Sequence, residues 1–69
     1  MQVFEYVVTV DEKRDKDGEI VEQAEIVVPI TQCMARDVNQ AGLMAAKAIP
    51  DEYMDGKLDR IQVVVRPFQ

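Results

Sequence analysis

Apolar and polar positions alternate along residues 2–11, with Phe4, Tyr6, Val8 and Val10 on one side and Val3, Glu5, Val7, Thr9 and Asp11 on the other. That period of two predicts a strand with one buried face. Residues 19–31 alternate in the same way, with Ile20, Ala24, Ile26, Val28 and Ile30 in phase and Glu22 interrupting them. Between the two runs lies a charged connection, DEKRDKDGE, with Asp17-Gly18 at its tip. A two-residue Asp17-Gly18 turn would set every buried even position opposite a polar odd one, which a one-residue slip in register produces. A three-residue loop of Lys16, Asp17 and Gly18, with Gly18 supplying positive φ, pairs Asp15 with Glu19 instead. Phe4 then faces Ile30, Tyr6 faces Val28, Val8 faces Ile26, and Val10 faces Ala24.

Pro29 lacks an amide hydrogen and belongs on an edge strand or at a bulge. Residues 32–36 read as a short connector. Residues 37–50, DVNQAGLMAAKAIP, predict the single amphipathic helix, with Asp37 as N-cap and Gln40 three positions on. Val38, Ala41, Gly42, Ala45, Ala48 and Ile49 share its inner side, Met44 lies at the margin, and Asn39, Gln40, Leu43 and Lys47 face away. Pro50 stops it. A loop with a second turn signal, Asp55-Gly56, leads to a third strand over residues 60–68, with Ile61, Val63 and Val65 on one face and Gln62, Val64, Arg66 and Phe68 on the other.

The expected fold is α+β, a single domain over residues 1–69 in the order β-β-α-β. A crossover from the second strand through the helix to the third leaves the first strand between them, a split βαβ with sheet order 2-1-3. The sheet is antiparallel or mixed, with the helix packed on one face. The other face is expected to carry Val3, Val7, Val21, Val27, Val64 and Phe68, mixed with Glu5, Thr9, Glu25, Gln62 and Arg66. That apolar content is high for a solvated face and marks an association surface. Leu43, on the outer side of the helix with Ala46 and Met54, is a candidate extension. Unpaired strand edges offer a second route, the third strand being the better one because Pro29 blunts the other rim.

Composition narrows the function further. A chain of 69 residues buries only about 60% of its unfolded surface, so support from a partner is plausible from size alone. One cysteine, no histidine and no tryptophan exclude an internal disulfide and a Cys/His zinc set. The lone Cys33 fits a reducing, cytoplasmic setting, and the longest unbroken apolar runs are too short to span a membrane. The formal charge is −5, with eight basic residues scattered among thirteen acidic ones, against the clustered Lys and Arg that nucleic-acid binding needs.

Chemistry finds little to build on. Lys13-x-Asp15-x-Asp17-Gly18-x-Ile20 resembles part of an EF-hand loop, but Lys13 stands at the first ligand position and Ala24 at the twelfth. Cys33 has no histidine to activate it, and the adjacent acids Asp51 and Glu52 read as solvated loop residues. No enzyme activity, cofactor or metal is expected.

The segments FEYVVTVDEKRDKDGE, EIVVP, ARDVNQAGLMAAKAIP and VVVRPF together resemble small uncharacterised proteins of tailed bacteriophages. That resemblance implies a context, a virion accessory component or an inhibitor of host defence, and transfers no functional residue. The expected function is a non-enzymatic interaction module, self-associating or held in a larger protein assembly. The alternative is a small acidic inhibitor that binds a host protein and imitates nucleic-acid charge.

Overall fold

The computed structural model describes residues 1–68. Strand β1 spans Gln2–Val10, β2 Lys13–Arg14, β3 Ile20–Glu22 and β4 Glu25–Ala35; helix α1 spans Val38–Lys47 and strand β5 Ile61–Pro67. β1 lies between β4 and β5 and is antiparallel to both. This is the expected α+β arrangement with the first strand in the middle.

The alternation in β1 produces the core directly. Phe4, Tyr6, Val8 and Val10 are all buried, and Val8 and Val10 are the largest side chains fully removed from solvent among the described residues. α1 lies over this face through Ala41, Ala45 and, just beyond its last turn, Ile49, an i, i+4, i+8 row. Short alanine side chains let the helix approach closely but bury little area. Val38, expected on the inner side, is exposed. It shares the angular position of Ala41 and Ala45, so its exposure reflects a place in the first turn, beyond the packed row. Asp37 caps the helix as expected: its Oδ1 accepts a hydrogen bond from the Gln40 amide at 2.8 Å. The Gln40 side chain reaches back one residue further than in the usual reciprocal box, accepting from the Arg36 amide at 2.7 Å.

At the hairpin tip the expected pairing is present. The Asp15 amide donates to the Glu19 carbonyl at 2.9 Å, the Gly18 amide donates to the Asp15 carbonyl at 3.0 Å, and Gly18 has φ +83°. Asp15 Oδ1 also accepts from the Asp17 and Glu19 amides at 2.9 and 3.0 Å. Its carboxylate thus holds the turn together.

Away from the tip the expected register fails. From Arg14↔Ile20 down to Gln2↔Ala35 the outgoing chain advances 12 residues and the returning chain 15. The three additional residues enter as bulges: between Ile20 and Glu22, between Ile26 and Val28, and between Val28 and Thr31 at Pro29 and Ile30. Consequently Phe4 faces Cys33, Tyr6 faces Thr31, Val8 faces Val28, and Val10 faces Glu25. Each bulge moves the following residues by one position, and so from one face of the sheet to the other. Ile26 and Ile30, expected in the core, are 67% and 65% exposed. The second long strand continues to Ala35 through the stretch expected to be a connector. Thr31, Cys33 and Ala35 take the inward positions there.

β2 and β3 form a separate two-stranded ribbon beyond the main sheet, and the molecule measures 47 × 23 × 16 Å. The loop after the helix, with 3-10 turns at Asp51–Tyr53 and Leu58–Arg60, braces the base of this arm. Arg60 Nη2 donates to Glu22 at 3.0 Å, and the Tyr53 hydroxyl donates to Glu25 at 3.1 Å. Lys57 lies 3.8 Å from Glu25 and 5.2 Å from the centre of the Tyr53 ring. The Arg60 hydrogen bond holds Glu22 below the usual carboxylate range, and the hydrogen bond to Glu25 pushes the Tyr53 phenol up.

Candidate functional site

The side of the sheet opposite α1 is formed by Val3, Glu5, Val7 and Thr9 of β1, by Gln62, Val64 and Arg66 of β5, and by residues of β4. Cross-strand pairing places Met34 beside Val3, Gln32 beside Glu5, and Ile26 beside Thr9. Ile30, Val7 and Val64 line a shallow hollow of about 190 Å³, together with Glu5 and Arg66. Phe68 extends the surface past β5, its amide donating to the Val3 carbonyl at 2.9 Å.

Charge at the centre of this face is balanced internally. Glu5 and Arg66 stand directly opposite each other in the β1–β5 ladder, and Arg66 Nε donates to the Glu5 carboxylate. The Glu5 side chain is mostly covered, whereas that of Arg66 remains open to solvent. Further along, Gln62 Nε2 donates to Asp11 Oδ2 at 3.1 Å. Apolar residues therefore surround one neutralised ion pair, on a chain whose net charge is −5.

Of the positions expected from the sequence, Val3, Val7, Val64 and Phe68 fall on this face. Val27 does not: it is half-buried and packs against the cluster of Tyr6, Val8, Ala45 and Ile49, because the bulge between Ile20 and Glu22 shifts the residues that follow it and brings Val27 to the inward phase. Val21 sits in the β2–β3 arm, outside the three-stranded sheet. Leu43 is 64% exposed, but on the helix, across the molecule from the open face. The alternation does not place Ile26, Ile30 and Met34 here; the bulge between Ile20 and Glu22 brings Ile26 to the open side, and together with the two that follow it brings Ile30 there. Glu22, which breaks the alternation at the first bulge, and Pro29 at the last are the residues in the sequence that mark the irregularity.

Cys33 is half-buried opposite Phe4 and packs on both core clusters. Chemically, what the open face offers is apolar area to be removed from water around a single oriented ion pair. The accessible surface of the chain is 5053 Å², against about 4,400 Å² for a compact monomer of 7.8 kDa. Among the described residues no helix is long and apolar enough to cross a membrane. No family model, curated protein or solved structure matches the chain.

Proposed function

We propose that this chain is a non-catalytic association module, and that copies of it assemble by burying the open sheet face against one another. The observation that carries this reading is a solvent-facing sheet surface holding Val3, Val7, Ile26, Ile30, Met34 and Val64, with no layer over it among the described residues. Area favours a second copy as the occupant. The surface in excess of a compact monomer, about 650 Å², approaches the roughly 800 Å² each partner loses in a standard interface; the projecting arm accounts for part of the excess. Charge is compatible with the same occupant, because Glu5 at the centre of the face is already paired with Arg66, while the Asp11 carboxylate, held by Gln62, lies at its end. Two such centres meet with less of the repulsion expected of a chain at −5.

Burying a Val, Ile or Phe side chain contributes about 1.5–3 kcal/mol, against an association cost on the order of 4–15 kcal/mol. Five or six such side chains on each chain, roughly half exposed before contact, contribute about half of that apiece, which leaves a contact of modest strength. A virion accessory subunit, the setting suggested by the resemblance to tailed-phage proteins, is one place for a contact that forms at high local concentration. Sedimentation from low micromolar to millimolar protein tests the reading. The wild-type chain is expected to associate with rising concentration, and Val7→Glu with Ile30→Glu is expected to abolish the face contact while the circular dichroism spectrum stays unchanged. A wild-type chain that remains monomeric at millimolar concentration refutes it.

A further inference from the structure

The outer edge of β5 is a surface distinct from the open face. In the β1–β5 ladder the Phe68 amide donates to Val3 and the Asp11 amide donates to the Arg60 carbonyl, which fixes the parity of the pairing. Even-numbered residues of β5 direct their backbone groups at β1, and odd-numbered ones direct theirs outward. β5 is the last strand of its sheet. The Ile61 amide is already bonded to the Leu58 carbonyl, and Pro67 has no amide hydrogen. The amides of Val63 and Val65 remain, both aimed at solvent, and among the described residues no turn or cap hydrogen bond reaches them.

The opposite rim differs. β4 carries Pro29 and the bulges beside Val28, devices that keep an edge from accepting another strand. Head-to-tail pairing of a β5 edge with a β4 edge would propagate into a filament, and β4 blocks it. Pairing of β5 with a second β5 closes on itself.

We infer that two copies of this chain pair antiparallel through β5, about a two-fold axis at Val64, joining their sheets into one of six strands. In that register Val63 exchanges both backbone hydrogen bonds with Val65 of the second copy, and Val65 does the same with Val63. All four free amides are used. The two Val64 side chains meet as a non-hydrogen-bonded pair, the closer of the two antiparallel spacings. Arg66, whose Nε is held by Glu5, lies opposite Gln62 of the second copy, the residue bonded to Asp11. Its terminal nitrogens are thus presented to an acidic neighbour. Shifting the strands two residues one way would oppose Arg66 to Arg60, and shifting them the other way would oppose Val64 to Arg66.

This inference rests on the self-association reading for its partner but uses a different surface. The edge two-fold runs perpendicular to the sheet and a face-to-face two-fold lies between sheets, so both contacts fit one closed assembly of four chains. Amide hydrogen exchange on the unmodified protein tests the edge without any substitution. The Val63 and Val65 amides are expected to become protected as concentration rises from low micromolar to millimolar, in step with the associated fraction measured by sedimentation. Exchange at these two amides that is equally fast at both concentrations overturns the inference, whatever the oligomeric state. Val63→Pro removes two of the four inter-chain bonds and none within the chain, so the edge contact is expected to weaken about thirty-fold. If association persists, is lost in Val7→Glu with Ile30→Glu, and is untouched by Val63→Pro, the edge pairing fails and the face reading stands. If Val63→Pro abolishes association and the face variant does not, the edge pairing stands alone.

Discussion

Replacing Ile26 by alanine separates the bulged pairing of the hairpin from a straight one. In a straight hairpin Ile26 faces Val8 in the core, and truncating it there would cost about 2–5 kcal/mol. In the structure Thr9 stands opposite Ile26 and Val28 faces Val8. Ile26 is 67% exposed, so its truncation in the monomer is expected to cost no more than about 0.5 kcal/mol. Val8 sets the scale, being completely buried among Tyr6, Ala45 and Ile49. Val8→Ala removes two methyl groups, each worth about 0.8 kcal/mol in transfer, and leaves a small cavity, about 2–3 kcal/mol in all. Domains of this size hold on the order of 3–5 kcal/mol in total, so Val8→Ala leaves the fold barely stable. Urea titration followed by far-ultraviolet circular dichroism reads the difference. With an m value of about 1 kcal/mol per molar, the midpoint for Val8→Ala falls by about 2–3 M, and that for Ile26→Ala by about 0.5 M or less. Low micromolar protein keeps association from contributing to the stability. An Ile26→Ala midpoint as low as that of Val8→Ala would refute the bulged register.

Asp37→Ala removes the carboxylate that receives the Gln40 amide and is expected to destabilise by about 1 kcal/mol, a fall of about 4–8 °C in Tm on a thermal scan. Gly18→Ala forces a Cβ into φ +83° at a cost of about 1–2 kcal/mol; this falls on the arm, where faster amide exchange at Glu19 reports it. The two shifted groups give opposite pH dependences. The folded pKa of Glu22 is depressed by Arg60, so its contribution is present above the unfolded carboxylate value and is lost as pH falls through the folded one. Glu22→Gln is expected to flatten the acid limb of a pH–stability profile. The folded pKa of Tyr53 is raised by its bond to Glu25, so its contribution is full below the ordinary tyrosine value and is lost as pH rises through the raised one; Tyr53→Phe removes that alkaline loss.

Where local chemistry decides, the chain is readable. The strict alternation of β1, the Asp37–Gln40 cap, the left-handed glycine at position 18 and the Asp15–Glu19 pair all follow from residues within a few positions of each other. The central place of β1 follows from the order of elements and the crossover rule. The phase of β4 does not follow from local signals. Val, Ile and Pro fill residues 26–30 on both sides of the chain, so the two later bulges leave no polar mark where the alternation slips, and only Glu22 breaks it at the first. Past the bulges, Thr31, Cys33 and Ala35 do alternate with Gln32 and Met34, but small inward residues give a faint hydrophobic signal, and the strand reads as a connector. The candidate face inherits the same split. Its contributions from β1 and β5 are legible because those strands are unbulged, whereas those from β4 are hidden by a register that only the tertiary pairing resolves.

The central position of β1 also bears on how the chain comes off the ribosome. β1 is made early, yet one of its two flanking strands, β5, follows the whole of β4, α1 and the loop beyond. Until β5 emerges, the Phe4–Val10 segment has its backbone satisfied on one side only, and the alanine helix has no completed sheet to lie on. The hairpin can form during synthesis; the core closes when the distant end of the chain arrives to zip along β1. A nascent chain arrested before Ile61 therefore exposes the inward edge of its central strand, and stretches of messenger that slow translation between α1 and β5 prolong that exposure.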